Sequence, residues 1–385
     1  MNILFIAWNF PPKLGGMENI VFNIYQRLKT RFNIVVLAPF ASRDKEENDS
    51  AIIRCPFRGF LAFNFWIFYK GLRLIRNKQI NLIFSLSFLT SPISIILGKI
   101  FNKEVITQVF GLDVIYPNFL YQLICRLFFP LNNLVISISN YTKQELLKRK
   151  VKEERIRVIY PGVDSQKLFS NANIEELKIK YQLQDKKIIL SVCRLAKRKG
   201  IAEFILFALP KIIEAVPQVV YLVVGDNPFQ AMFHKQDVMA QVKQAITITK
   251  AESYVKLLGG IDPYSNIQTL SEIYNLCDVF VLPVIALKDD IEGFGVVFLE
   301  ASAAGKVTVG TNVGGIPDAI EDKKSGILIE PNDYARLAEE IIFLLKNDRK
   351  RKEMGEYGRR RVKDKFDWSV TIEEYSNTLN RLTYG

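Results

Sequence analysis

Residues 279–310 read VFVLPVIALKDDIEGFGVVFLEASAAGKVTVG. Two continuous apolar runs, Val279–Leu282 and Val307–Gly310, bracket a loop, a Gly-Phe-Gly turn and a short apolar helix. Strands without polar alternation are buried on both faces, which is the mark of a parallel sheet covered by helices. The stretch is therefore one βαβ step. It also carries two carboxylates, Glu292 and Glu300, eight residues apart. Gly293 and Gly295 let backbone N–H groups approach a ligand, and a helix start at Val296 adds a partial positive charge that suits phosphate. Were all eight steps helical, the carboxylates would stand roughly 12 Å apart at about 1.5 Å per residue. They cannot share one atom; they suit the two ends of a long polar ligand, the shape of a nucleotide-sugar.

The same alternation runs outward in both directions. Ile3–Ala7, Ile34–Ala38, Asn81–Ser85, Glu104–Gln108 and Leu134–Ile138 read as buried strands, with helices such as Asn19–Lys29 and Thr142–Lys148 between them. After a polar linker around Ser165–Lys187 the series restarts: Ile188–Val192, Val219–Val224, Val255–Leu258, then the two strands quoted above, then Gly326–Ile329. The expected fold class is α/β, with two Rossmann-like doubly wound parallel-sheet domains facing a cleft. Residues 1–168 form the first domain and 169–368 the second, and a C-terminal helix, 369–385, packs back on the first.

Composition narrows the chemistry. With 385 residues, 49% hydrophobic content and a mean hydropathy of +0.09, the chain fills two cores rather than staying disordered. Cys55, Cys125, Cys193 and Cys277 are scattered without a C-x-x-C pair, which suggests neither a disulfide framework nor a zinc site. One histidine, His234, excludes a histidine-based metal centre. Met1 leads straight into a strand-like run with no basic start and no A-x-A site, so a cytoplasmic protein is expected. The longest apolar run, Leu82–Gly98, is broken by serines and Pro92 and reads as strand, turn and buried helix. Charge is lopsided: residues 1–180 hold 25 Lys+Arg against 13 Asp+Glu, whereas residues 181–385 hold 27 of each. A basic half beside a neutral one points to an anionic partner for the first domain, or else to simple solubility.

Other strand exits carry further signals. The first strand leads into WNFPPKLGGMEN, where Gly15-Gly16 precede a helix. This is not the G-x-G-x-x-G of dinucleotide folds, although paired glycines at a helix start still suit an anion. VCRLAKRKG, 192–200, places Arg194 and Lys199 at a strand's carboxyl end, where two fixed cations suit a diphosphate. VVGDNP, 223–228, brings Gly225 to another strand exit, and Gly314-Gly315-Ile316-Pro317 reads as a tight turn at the pocket rim.

Taken together, GG (15–16), YPGVD (160–164), RLAKRKG (194–200), EGFGVVFLE (292–300), GGIPD (314–318) and SGILIEPND (325–333) resemble the retaining glycosyltransferases of family 4, of glycogen-synthase-like GT-B architecture. The motifs come in the family's order and cover nearly the whole chain. The resemblance implies a nucleotide-diphospho-sugar donor, GDP- or UDP-linked, held mainly by the second domain, and an acceptor site in the first. It implies that Glu292 lies by the donor sugar, that Glu300 bonds the ribose, and that Arg194 and Lys199 hold the diphosphate with help from the loop at Gly15 and Gly16. Gly225, Gly293, Phe294, Gly295 and Val296 complete the donor set, and Asp113 is the acid of the first-domain motif. No metal and no separate cofactor are expected, since no Asp-x-Asp site occurs.

Two departures stand out. Phe110-Gly111-Leu112-Asp113 has phenylalanine where the family often has histidine, and Cys193 replaces the usual glycine before the arginine. The first leaves open a nucleotide-sugar-binding protein that has lost activity. Otherwise the expected chemistry is hexose transfer, mannose-like or glucose-like, with retention at the anomeric carbon. Arg194, Lys199 and glycine-turn N–H groups would offset charge on the departing phosphate, and Glu292 would position the sugar. The Asp289-Asp290-Ile291 lead into the glycine turn resembles enzymes using GDP-mannose. Residues 57–76, FRGFLAFNFWIFYKGLRLIR, interleave aromatics with Arg58, Lys70, Arg73 and Arg76, and Tyr116–Pro130 is a second apolar, aromatic stretch. Both fit peripheral docking on an anionic membrane face and a lipid-linked or glycan acceptor in cell-surface polysaccharide or glycolipid assembly; filling of the first core is the competing reading. No nucleic-acid module is present.

Overall fold

The computed structural model describes every residue except 14, 42–48, 170–173, 228–236, 262–266, 289 and 385. His234 and Asp289 thus lie outside the described residues. The chain divides into two compact units, Met1–Gly162 with Trp368–Gly385, and Val163–Asp367.

Strands β1 (Asn2–Ile6), β2 (Asn33–Ala38), β3 (Ile52–Arg54), β4 (Leu82–Ser85), β5 (Glu104–Val109), β6 (Leu134–Ser137) and β7 (Ile156–Val158) form the first sheet in the order β3-β2-β1-β4-β5-β6-β7. Strands β8 (Lys187–Val192), β9 (Val219–Val224), β10 (Val255–Leu257), β11 (Val279–Leu282), β12 (Val307–Thr311) and β13 (Gly326–Ile329) form the second, in the order β10-β9-β8-β11-β12-β13. Every neighbouring pair is parallel. The central strands are buried along their length, as Val219–Val224 shows. Each sheet grows outward from its first strand, then jumps back to that strand's other side. In the second sheet the reversal lies between β8 and β11, the place where open α/β sheets bind ligands.

Three details differ from the sequence reading. The edge strands β3 and β7 each have three residues, too short for any periodicity to announce them. Residues 165–187 are not a free linker. Leu168, Leu177 and Leu183 are buried, and Ser271 and Asn275 both donate to the Leu168 carbonyl. Apolar burial therefore folds the described part of this stretch into the second unit. In residues 57–76 the large apolar side chains split: Phe63 lies in the core cluster of the first unit, while Leu61, Phe65 and Tyr69 are exposed.

The last helix, Trp368–Tyr384, belongs to the first unit. Its Tyr375 hydroxyl donates to the buried Gln108 at 2.7 Å, and the Arg27 guanidinium sits 4.9 Å from the Trp368 ring.

Candidate active site

The strongest concentration of buried charge lies at the sheet reversal of the second unit. β8 runs out at Val192 into a loop that makes one tight turn over Lys197–Lys199 before the helix Ile201–Phe207. β11, its hydrogen-bonded neighbour, leads through residues 283–295 into the helix Val296–Ala303. The two loops are stitched together where the Ile285 N–H donates to the Arg198 carbonyl at 2.8 Å.

That stitching brings four ionised side chains into one buried group. Lys199 donates to Glu292 Oε2 at 2.5 Å, and Arg198 Nε reaches the same oxygen at 3.4 Å. Arg198 Nη1 also donates to both Asp290 oxygens, at 3.0 Å each. The side chains of Arg198 and Glu292 are each 13% exposed, and those of Lys199 and Asp290 still less. Burial works against the Glu292 charge, but Lys199 and Arg198 overcome it and hold the carboxyl at about 2, from an ordinary 4.5. Burial likewise opposes the Arg198 charge, and Glu292 and Asp290 reverse that effect, so it stays protonated. The group as a whole is neutral. Cys193, in the field of these same residues, is buried, and that burial raises its thiol to about 11, so it is inert. Arg194 is exposed, and among the described residues it makes no ion pair.

The glycine turn fixes the position of Glu292. A Cβ on Gly315 would lie 2.1 Å from the Gly293 oxygen, and the Gly315 N–H donates to the Glu292 carbonyl at 3.0 Å. Gly314-Gly315 thus exists to let residues 292–293 approach. Gly295, with φ of 85°, starts the helix Val296–Ala303, and no side chain caps it. Of its first N–H groups, that of Phe298 donates to the Gly295 carbonyl at 3.0 Å, and among the described residues those of Val296 and Val297 have no side-chain acceptor. Phe294 is 2% exposed and packs 6.1 Å from the Phe366 ring. Glu300, on the same helix, accepts from the Tyr274 hydroxyl at 2.6 Å. Burial raises its pKa, and the Tyr274 bond works in the opposite direction. At the exit of β9, Gly225 has φ of 144°, and a Cβ there would lie 1.7 Å from the Cys193 oxygen. Gly225 therefore lets the β9 exit close on the Arg194 loop.

In the first unit, Gly15 is extended and Gly16 begins the helix Gly16–Leu28. Among the described residues, and its own neighbouring backbone apart, nothing lies within 4 Å of where a Gly16 Cβ would stand, so their packing does not demand this glycine. Glu18 already places a negative charge in that helix's first turn, where it accepts from Asn9 at 3.2 Å. Asp113 follows β5. Its Oδ1 accepts the Phe110 N–H at 2.8 Å, while Oδ2 is buried with no partner among the described residues. Burial lifts this carboxyl to about 6 against the pull of backbone N–H groups. Phe110 is 5% exposed and counts among the buried apolar side chains.

The structure therefore brings Lys199, Glu292, Gly293 and Gly295 to the carboxyl side of β8 and β11, and among the described residues Arg194 makes no ion pair there. Sequence reasoning missed Arg198, Asp290 and Tyr274 as part of this site. Arg198 stood in the quoted RLAKRKG and Asp290 two residues before Glu292, but neither spacing shows that they pair.

Comparison with known proteins bears on the family and the fold. The family model Glycosyl transferases group 1 matches residues 173–361, and Glycosyltransferase Family 4 matches residues 14–167. The chain belongs to glycosyltransferase family 4. One relative within this group is a GDP-mannose-dependent alpha-(1-6)-phosphatidylinositol monomannoside mannosyltransferase of Mycobacterium tuberculosis. It is 27% identical over 64% of this chain and 61% of the relative. Another, the capsular polysaccharide biosynthesis glycosyltransferase CapM of Staphylococcus aureus, is 29% identical over 64% of this chain and 61% of the relative. The chain thus spans less than two thirds of the length of these curated relatives. Among solved structures, Anabaena HepE in complex with UDP superposes with a TM-score of 0.82 at 21% identity, over 99% of this chain and 100% of that one. The shared fold is that of the GT-B glycosyltransferases, two parallel-sheet α/β domains.

Proposed function

We propose that this family 4 chain is a glycosyltransferase that moves a hexose from a nucleotide-diphospho-sugar to a lipid-linked or glycan acceptor, with retention and without a metal. One observation carries the reading. A buried, neutral Arg198–Asp290–Glu292–Lys199 group lies at the sheet reversal of the second unit, beside an uncapped helix start.

In this reading Glu292 is held ionised and oriented for the hydroxyls of the donor sugar. Arg194, exposed and unpaired among the described residues, meets the diphosphate together with the N–H groups at Gly293–Val296. Lys199 turns part of its charge from Glu292 to the phosphate as that charge grows. The C1–O bond to the diphosphate breaks while the acceptor oxygen bonds C1 from the same face, and the acceptor proton passes to a departing phosphate oxygen. Glu300, kept in place by Tyr274, accepts from the ribose hydroxyls. The loop at Gly15–Gly16 and Asp113 serve the donor and acceptor from the first unit, and Gly225 shapes the site's edge.

GDP-mannose is the donor of the mycobacterial relative, and UDP is the nucleotide bound in HepE. Either base is carried forward, with mannose or glucose as the hexose. CapM and the mycobacterial enzyme point to polysaccharide or glycolipid assembly. A lipid-linked acceptor calls for peripheral contact with the cytoplasmic membrane face, for which residues 57–76 are the first candidate. Binding without turnover is the second reading, favoured by Phe110 alone.

The test is donor turnover. Purified protein given GDP-mannose or UDP-glucose should release the nucleoside diphosphate slowly to water and faster with a lipid-linked acceptor. Arg194→Ala should lower the rate about 10²–10³-fold, the usual cost of one charge-stabilising partner. Unchanged turnover in that variant would remove Arg194 from the mechanism, and nucleotide binding without any turnover would favour the second reading.

A further inference from the structure

Between Asp49 and Glu104 the chain holds eight Lys or Arg and neither Asp nor Glu. Three helices in and just after this acid-free stretch turn large apolar side chains outward. On Phe60–Asn77, Leu61, Phe65 and Tyr69 stand four residues apart, each 71–73% exposed. Arg73 continues the stripe, while Phe63, Ile67 and Gly71 face the core. On Ser91–Phe101, Ile96 and Ile100 are exposed with Lys99 beside them. On Phe119–Phe128, Phe119 is 86% exposed, followed by Leu120, Leu123 and Leu127, with Arg126 among them.

The helices that carry these stripes are neighbours. Gly71 leaves room for Leu97 of the second helix, since a Cβ there would lie 2.6 Å from Leu97 Cδ1. Phe128 of the third helix packs against the core cluster that holds Leu97, Phe63 and Ile67. The second unit offers a contrast. Its exposed Ile179, Phe207, Ile248 and Phe343 lie on four separate helices. Scattered apolar residues need no explanation; apolar ridges on adjacent helices, edged by cations and free of anions, do.

We propose that the face formed by helices Phe60–Asn77, Ser91–Phe101 and Phe119–Phe128 docks on an anionic phospholipid bilayer. Phe65, Phe119 and Leu123 enter the headgroup region, and Arg73, Arg76, Lys99 and Arg126 meet lipid phosphates. This deepens the lipid-acceptor reading and rests on it for the use made of docking. Among the described residues no helix is long and apolar enough to cross a membrane, so the contact is interfacial. Charge selects the occupant. A second copy of this face would set cations against cations, whereas an anionic leaflet complements them, at about 1 kcal/mol for each Lys or Arg near the surface.

Vesicle flotation of the whole protein tests this. The parent should float with vesicles containing phosphatidylglycerol and stay behind with pure phosphatidylcholine. Arg73→Gln with Arg76→Gln should weaken partition about 25-fold, which is about fivefold per charge. Phe65→Ser with Phe119→Ser and Leu123→Ser should abolish it. Both variants should keep the parent's nucleotide-induced stabilisation and its donor hydrolysis, which shows that they fold. A parent that does not float, one that floats equally on neutral vesicles, or variants that float like the parent would each overturn the proposal. So would a dimer in light scattering that the apolar variant converts to monomer, since the face would then be covered by a second copy. Flotation without donor turnover would sink the enzyme reading and leave docking intact; turnover without flotation would do the reverse.

Discussion

Lys199 Nζ lies 2.5 Å from Glu292 Oε2, and both side chains are nearly buried. Removing Glu292 would strand the Lys199 charge out of water, and removing Lys199 would leave the buried Glu292 to share Arg198 with Asp290. Lys199→Met should therefore destabilise the fold by about 3 kcal/mol. The double variant Lys199→Met with Glu292→Gln should recover part of that loss. Denaturant titration of the two singles and the double measures the coupling, and additive losses would show that the pair does not act as a unit.

The pH dependence has a definite sign. Glu292 is held at about 2 in the fold, below its ordinary 4.5. Its contribution is fully present above pH 4.5 and fades as pH falls toward 2. Glu292→Gln should thus lower the melting temperature at pH 6 and converge with the parent in strong acid. A constant gap across that range contradicts the assignment.

Asp113 should behave in the opposite way. Burial lifts its carboxyl from 3.8 to about 6, so the folded state binds the proton that the unfolded chain releases. Stability from this group is present below pH 3.8 and is lost as pH rises through 6. Asn does not titrate and keeps an oxygen for the Phe110 N–H. The melting temperature of Asp113→Asn relative to the parent should therefore rise between pH 4 and pH 7. A falling difference would mean that the carboxylate is stabilised by partners its burial conceals.

Tyr274→Phe removes the hydroxyl that donates to Glu300 at 2.6 Å. Burial already raises Glu300, and losing this bond raises it further. A hydrogen bond to a charged group is worth about 1.5–3 kcal/mol, so nucleotide affinity should fall roughly tenfold or more at neutral pH. Calorimetric titration at two pH values checks both points. Unchanged affinity would show that Glu300 does not need Tyr274 to bind the ribose.

Arg198 and Asp290 mark the limit of what the sequence discloses. Long buried strands such as Val219–Val224 announce themselves by unbroken apolar runs, and the double glycine at Gly314 is legible as a turn. Partners 92 positions apart are not, and a Lys-Arg-Lys run reads as solvated until the fold closes over its middle residue. The aromatics of residues 57–76 show the same ambiguity. Composition alone does not tell Phe63, which is fully buried, from Phe65, which is 73% exposed; the helical phase decides. Phe110 stood out as a departure from the family pattern, and its burial explains why the side chain is tolerated. Asp290 affects the site through Arg198 as a positioning residue. Asp290→Asn should accordingly raise the donor KM more than it lowers kcat, with Asp290→Glu restoring part of it, and an equal fall in kcat would refute that role.

We propose that the second unit's sheet reversal binds a nucleoside diphosphate through Glu300 and the glycine turn. Thermal shift with UDP, GDP, ADP and dTDP tests it most directly, on the parent and on Glu300→Ala. UDP or GDP should stabilise the parent by several degrees, and the variant should lose that shift. No shift with any of the four nucleotides, or an equal shift in Glu300→Ala, would contradict it.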